Sequence, residues 1–264
     1  MRWTERQHAM LREMGIPAFW PVMPAVPDVP TALADAPVPA PAPAPPPKPA
    51  PVPVITAAPA PTHAVARPAG LDVLDWPALR AAVAQCQACA LGQGRMQSVF
   101  GAGHIEADWM IVGEAPGESE DKLGEPCVGD AAELLDHMLE AVGITRAEAP
   151  AAQQVFLTNA LKCRPPANRN PLPPEVAQCE PYLLRQMALV QPRVVLAMGR
   201  LAVQSLLKSN EPLGKLRGRV HEVQGVPVIV TYSLANLLRS PANKALAWDD
   251  LCLAREVLAR SRTA

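Results

Sequence analysis

Residues 71–264 predict an α/β domain of three layers, a mainly parallel sheet with helices on both faces. Three observations point there. Short apolar runs alternate with amphipathic stretches of helical period, the pattern of strands joined through crossover helices. Several of the helical stretches are bracketed by cap and stop signals. At residue 70 the composition also changes abruptly, from a proline-alanine tract to mixed apolar and charged sequence.

The elements follow in chain order. "LDWPALRAAVAQC" (74–86) starts a helix, with Asp75 as N-cap and Pro77 in the first turn. "DWMIVGE" (108–114) is a short apolar strand closed by a glycine. "DAAELLDHMLEAVG" (130–143) is a helix with Asp130 and Glu133 in capping-box spacing and Gly143 as its stop. "QVFLTN" (154–159) and "PRVVLAMG" (192–199) are further strands. "RLAVQSLLK" (200–208) is a helix, "VHEVQGVPVIVTY" (220–232) a strand pair around Gly225, and "NKALAWDDLCLAREVLAR" (243–260) the closing helix. Ligands of such sheets collect at the carboxyl ends of the strands. The stretches after Val112 and Thr158 are the site-like ones by that rule.

Two further regions precede this domain. Residues 21–70 hold 17 of the 32 prolines and only Asp28, Asp35, Lys48 and Arg67 as charges. Proline lacks an N–H donor and fixes φ, so "APVPAPAPAPPPKPAPVPV" forms neither helix nor central strand. It reads as a disordered, polyproline-like linker reaching up to roughly 150 Å at about 3.1 Å per residue; a tail with no role is the alternative. Residues 1–20 read as a short partner-binding peptide. Thr4 and Gln7 have capping-box spacing, Met10, Leu11 and Met14 share a helical face, and Gly15 fits the stop. A helix of about ten residues is marginal alone and gains order in a partner's groove, with Ile16, Phe19 and Trp20 as anchors. The other reading is an arm folded back on its own domain.

Charge and cysteine content bound the function. The formal net charge is −1, and residues 71–264 hold 19 Lys/Arg against 21 Asp/Glu. Proteins that grip phosphates usually carry a basic surplus, so weak or no direct DNA binding is expected. No run of about 18 apolar residues exists, which predicts no membrane span. No signal-peptide layout opens the chain, which places its six cysteines in the reducing cytoplasm, where clustered thiols more often bind metal than pair. Cys86 and Cys89 form a C-x2-C pair, while Cys163 and Cys179 flank "RPPANRNPLPPEVAQ". Zinc modules usually present two close-spaced pairs. The split second pair suits a four-thiolate iron–sulfur cluster instead; four unrelated buried thiols are the alternative. Cys127 and Cys252 lie outside the pattern, Cys252 reading as core.

"GEAPGESED" (113–121), "LTNALKCRPPANRNP" (157–171), "LLRSP" (237–241) and the four cysteines together resemble the family 4 uracil-DNA glycosylases. The resemblance covers nearly all of residues 80–260. It implies a uracil-DNA glycosylase-like fold and a 4Fe-4S cluster held by Cys86, Cys89, Cys163 and Cys179. It also implies that Glu114 and Glu120 shape the base pocket and position water, and that Asn159 reads the uracil edge. Two positions depart from the pattern. "GEPCVGD" puts Cys127 where the family's stacking Phe is expected, and "TYSLANLLRSP" puts Ser233 at the His that stabilises developing charge. Losing one such donor costs about 100- to 1000-fold, and a stacking face is worth roughly 1–3 kcal/mol. The expectation drawn is an inactivated glycosylase, a pseudoenzyme with Glu114, Glu120, Cys127, Asn159 and Ser233 as a vestigial pocket. Glu114 and Asn159 would then be kept for satisfying buried backbone groups.

"MLREMGIPAFW" (10–20) and "SPANKALAWDDLC" (240–252) add a second resemblance, to the psi subunit of the bacterial DNA polymerase III clamp loader. It implies a DNA-replication adaptor without catalysis. The N-terminal peptide would dock on the gamma/tau collar of the clamp-loader ATPase subunits. The core would hold the chi subunit and, through it, single-stranded DNA-binding protein. The alternative reading is an active or re-specified DNA glycosylase that removes uracil or another deaminated base.

Overall fold

The computed structural model describes residues 70–261. The expected docking peptide, with Met10, Leu11, Met14, Ile16, Phe19 and Trp20, lies outside the described residues, as does nearly all of the proline-rich linker.

The domain opens with α1 (Trp76–Gln85), whose N-cap Asp75 accepts the Ala78 N–H at 2.9 Å, with Pro77 in the first turn. A short turn, α2 (Leu91–Gly94), leads to β1 (Ala102–Gly103) and β2 (Trp109–Gly113). After these come α3 (Glu118–Leu123), α4 (Gly129–Glu140), β3 (Phe156–Asn159) and α5 (Pro173–Val190). The chain continues through β4 (Val194–Met198), α6 (Arg200–Leu207), α7 (Leu213–Leu216) and the hairpin of β5 (Val220–Val223) with β6 (Val226–Thr231). It closes with α8 (Leu234–Arg239) and α9 (Asn243–Ser261). The hairpin turns on Gln224 and Gly225, both at positive φ (52° and 80°), where glycine carries no steric cost.

Six strands form one sheet in the order β1-β3-β2-β4-β6-β5. The four inner strands are parallel, and the two edge strands run antiparallel to their neighbours. Alternation along the strands assigns the faces. Met110, Val112, Val195 and Ala197 point into the layer that holds Leu183, Met187 and Val190 of α5 and Leu201, Ala202 and Leu206 of α6. Trp109, Ile111, Val194, Leu196 and Met198 point the other way, onto Leu135 and Leu139 of α4 and Leu251, Ala254 and Leu258 of α9. This is the expected three-layer architecture. Among the described residues, no helix is long and apolar enough to cross a membrane.

Two elements differ from the sequence reading. Helix α4 starts at Gly129 with Val128 as N-cap, and no side chain caps it, so the Asp130–Glu133 box does not form. The Val128 N–H is instead directed at Glu120 Oε1, 3.4 Å away, which ties the helix start to α3. The second difference is α5, eighteen residues long, whose start reads as proline-rich loop. Pro173 and Pro174 sit in its first turn, where no intrahelical donor is needed. Glu175 caps that turn by accepting the Leu172 N–H at 2.7 Å, and the Arg169 guanidinium holds its carboxylate at 2.6 and 2.9 Å.

Candidate functional site

Topology brings one group of side chains together. The chain passes from β2 to β3 on one side and then crosses to β4 on the other, so the carboxyl end of β2 is the switch point where open α/β sheets bind ligands. Glu114 follows β2, Asn159 ends β3, Gly199 follows β4 and Ser233 follows β6. Gly113 has no room for a side chain: a Cβ there would lie 2.4 Å from Asn159 Oδ1. Glycine at that point lets Asn159 reach across the strand ends. The buried Asn159 donates from Nδ2 to the Pro126 carbonyl at 3.3 Å.

The loop around Pro126 is fixed from three directions. Besides the Asn159 bond, Arg146 donates to the Cys127 carbonyl at 3.2 Å while its other nitrogens grip Asp136 at 2.7 Å each. Glu120 completes the frame. One of its oxygens accepts the Gly117 N–H at 3.1 Å, and the other faces Val128, so a single carboxylate ties the start of α3 to the start of α4. Cys127 is buried against the layer holding Leu135 and Leu139. Burial pushes its thiol up to about 11, outweighing the opposing field of Arg146.

Glu114 is held from the opposite side. Its Oε1 accepts the Leu201 N–H in the first turn of α6 at 3.1 Å. Its side chain also packs over Gly199, whose φ of 93° and lack of a Cβ give it space. The Gly199 N–H donates in turn to the Thr231 carbonyl at 2.9 Å, tying β4 to the end of β6. Ser233 is the N-cap residue of α8. Its carbonyl accepts from Asn236 and Leu237, while its hydroxyl makes no cap bond.

A separate cavity gathers the other predicted residues. Cys86, Cys89, Cys163 and Cys179 line it with Arg95, Lys162 and Tyr182. Cys86 caps the end of α1, Cys89 lies just beyond, Cys163 follows β3 and Cys179 rides on α5. Arg95 donates to Cys163 Sγ at 2.9 Å, and the Lys162 N–H to Cys179 Sγ at 3.2 Å. The N–H groups of Leu91 and Gly92 face the Cys89 sulfur. As free thiols, Cys89, Cys163 and Cys179 resist ionisation, since burial raises each, the last to about 12. Lys162 Nζ is fully enclosed and reaches the Thr158 hydroxyl (2.6 Å), the Asn159 carbonyl (2.7 Å) and Gln186 Oε1 (2.6 Å). Burial lowers it to about 8 despite the neighbouring sulfurs. Cys252 stays outside both sites, half-buried on α9.

The sequence reading missed Arg95, Arg146, Lys162 and Gly199. Only Lys162 carried a signal, standing between Asn159 and Cys163 in "TNALKC". The others are brought in by folding.

Comparison with known proteins identifies the lineage. Residues 100–252 match the Uracil DNA glycosylase superfamily. A Type-4 uracil-DNA glycosylase of Pyrobaculum aerophilum is 37% identical over 188 residues, covering 68% of this chain and 93% of that protein. Those of Archaeoglobus fulgidus and Thermotoga maritima are each 38% identical, covering 60% and 61% of this chain and 81% and 82% of theirs. These relatives overturn the reading of an inactive psi-like clamp-loader adaptor: what the chain resembles over most of its length is a set of glycosylases. The psi likeness rested on two short segments, 10–20 and 240–252, and the inactivity on Cys127 and Ser233, with no weight given to the frame around them. The loop carrying Cys127 is anchored by Asn159, Arg146 and Glu120, and Ser233 keeps a hydroxyl that no cap bond consumes. By matched sequence and by fold, the chain belongs to the uracil DNA glycosylase superfamily.

Proposed function

We propose that this chain is a DNA glycosylase that removes uracil, or another deaminated base, from DNA. The observation that carries the reading is the convergence of Glu114, Glu120, Asn159 and the Ser233 segment at the carboxyl ends of β2, β3 and β6. The target base must leave the stack to be reached. As the glycosidic bond breaks, negative charge builds on the base and positive charge on the sugar. Asn159 turns from the Pro126 carbonyl to the edge of the flipped base, and the Ser233 hydroxyl donates to its developing oxyanion. Glu114, fixed by the Leu201 N–H, places a carboxylate near the cationic sugar and orients the water that adds to it. Glu120 keeps the starts of α3 and α4 in register.

The four-cysteine cavity fits a thiolate-held iron–sulfur cluster. Four thiols share one cavity, N–H and guanidinium donors already face three of their sulfurs, and Arg95 and Lys162 offset anionic charge. Cys86, Cys89, Cys163 and Cys179 would hold the cluster. When bound, it would cross-link the end of α1, the segment after β3 and α5, a structural contribution.

The test is release of free base from duplexes carrying one uracil, hypoxanthine or xanthine, followed by mass spectrometry under single-turnover conditions. Release from at least one substrate is expected. Intact DNA in all three, with folded protein, would overturn the reading.

A further inference from the structure

A second network gathers at the exit of β6. Asp250 of α9 is fully buried and accepts the Arg217 Nε–H at 2.7 Å. The Arg217 side chain is itself only 10% exposed, and its Nη2 donates to the Leu246 carbonyl. The guanidinium also lies over the ring of Tyr232, 4.6 Å from its centroid. The Thr231 hydroxyl and the Gly218 N–H lie near the same Asp250 carboxylate, though neither the Thr231 hydroxyl nor Asp250 Oδ1 makes a hydrogen bond of good geometry. One arginine therefore joins α9, the segment after α7 and the exit of β6, and the residue after Tyr232 is Ser233.

We infer that the Asp250–Arg217–Tyr232 stack is a positioning device for the glycosylase pocket, setting the path of residues 231–233 so that the Ser233 hydroxyl faces the base. The inference rests on the proposed excision activity. The physical case is that β6 ends at Thr231 and α8 is only six residues long, so neither element holds the connecting segment by itself. What does hold it comes from elsewhere: the Gly199 N–H on the Thr231 carbonyl, and the arginine against the Tyr232 ring. Arginine suits this place, because its planar fork binds a carboxylate and a carbonyl while its face stacks on an aromatic ring. A lysine keeps the charge but gives up both the fork and the stacking face. The buried carboxylate in turn keeps the guanidinium from swinging into solvent. Arg217 and Asp250 touch neither base nor sugar in this arrangement; they act through Tyr232 and Ser233.

The experiment compares the full chain with Arg217→Lys, Tyr232→Ala and Tyr232→Phe by local hydrogen exchange and by excision. The reporters are the amides of Asn236 and Leu237, which donate to the Ser233 carbonyl, against those of Leu196 and Ala197 in the sheet. Arg217→Lys and Tyr232→Ala are expected to speed exchange at the reporters about tenfold, with the sheet amides unchanged. They also lower kcat about tenfold while KM holds, and the double variant loses no more than either alone. Tyr232→Phe keeps the ring and restores both readouts. Unchanged reporter exchange, or acceleration spread equally into the sheet, overturns the inference. If the wild-type chain releases no base, the glycosylase reading falls and takes the positioning role with it; if it releases base while the reporters stay unchanged, the inference alone falls.

Discussion

The cysteine cavity and the strand-end pocket lie in the same fold and are built by opposite means. The cavity is a set of side chains: four sulfurs delivered by the end of α1, the segment after β3, and α5. The pocket is mostly a backbone frame. Its segments are held where side chains meet the Pro126 and Cys127 carbonyls and the Gly117, Val128 and Leu201 amides. A site made of side chains is lost when one of them changes. A framed site depends less on the side chain that occupies it, and Cys127 and Ser233 are occupants of this kind. Missing residues are thus poor evidence of lost function in the second kind of site.

The largest expected effect breaks the first kind. Cys163→Ser or Cys179→Ser should abolish absorbance near about 400 nm and cost more than about 4 kcal/mol in denaturant unfolding, as loss of a bound metal group does. Full stability and unchanged colour would show that the thiols are independent. Next is a change to the frame. Gly199→Ala places a Cβ 2.5 Å from Glu114 Cδ at a φ of 93°, so the carboxylate must move. Excision should fall by about 10- to 100-fold, with about 1–3 kcal/mol of stability lost. Wild-type turnover in this variant would remove Glu114 from the account.

A smaller effect concerns Cys127, an occupant within the frame. Its folded-state thiol is raised from 9.0 to about 11, so burial favours the protonated form. The resulting stability is fully present below pH 9.0 and is lost as pH rises through about 11. Cys127→Ala should flatten that alkaline limb in urea melts, and an unaltered limb would assign it to other groups. The smallest effect belongs to the N-terminus. Deleting residues 1–20 should leave excision within about twofold, since that segment is separated from the domain by the proline-rich linker. A large loss would show that the peptide serves the pocket directly.

Legibility followed the same division. Strands such as "DWMIVGE" and "PRVVLAMG" were readable because buried parallel strands are short, continuous apolar runs, and the Asp75 cap because its chemistry is local. The grouping of the four cysteines in one cavity was readable because residue type and spacing survive in one dimension. Helix α5 was hidden by the prolines of its first turn. The α4 start was misplaced because its first N–H is directed at a carboxylate eight residues upstream, which no local pattern records. In the pocket, Glu114, Glu120 and Asn159 were named from motifs. Arg146, which holds the Cys127 carbonyl, Gly199, which makes room for Glu114, and the Arg217–Asp250 pair arrive from distant sequence and became visible only once the sheet had formed.

The central claim is that the framed pocket at the strand ends breaks a glycosidic bond. Its most direct measurement is the rate of abasic-site formation in uracil-containing DNA by the full chain and by Asn159→Ala, each checked for an intact melting transition. The account predicts abasic sites with the wild-type chain and a rate about 100- to 1000-fold lower for the variant, as for loss of a donor to developing charge. A folded wild-type protein that forms no abasic sites, or a variant that forms them equally fast, would contradict it.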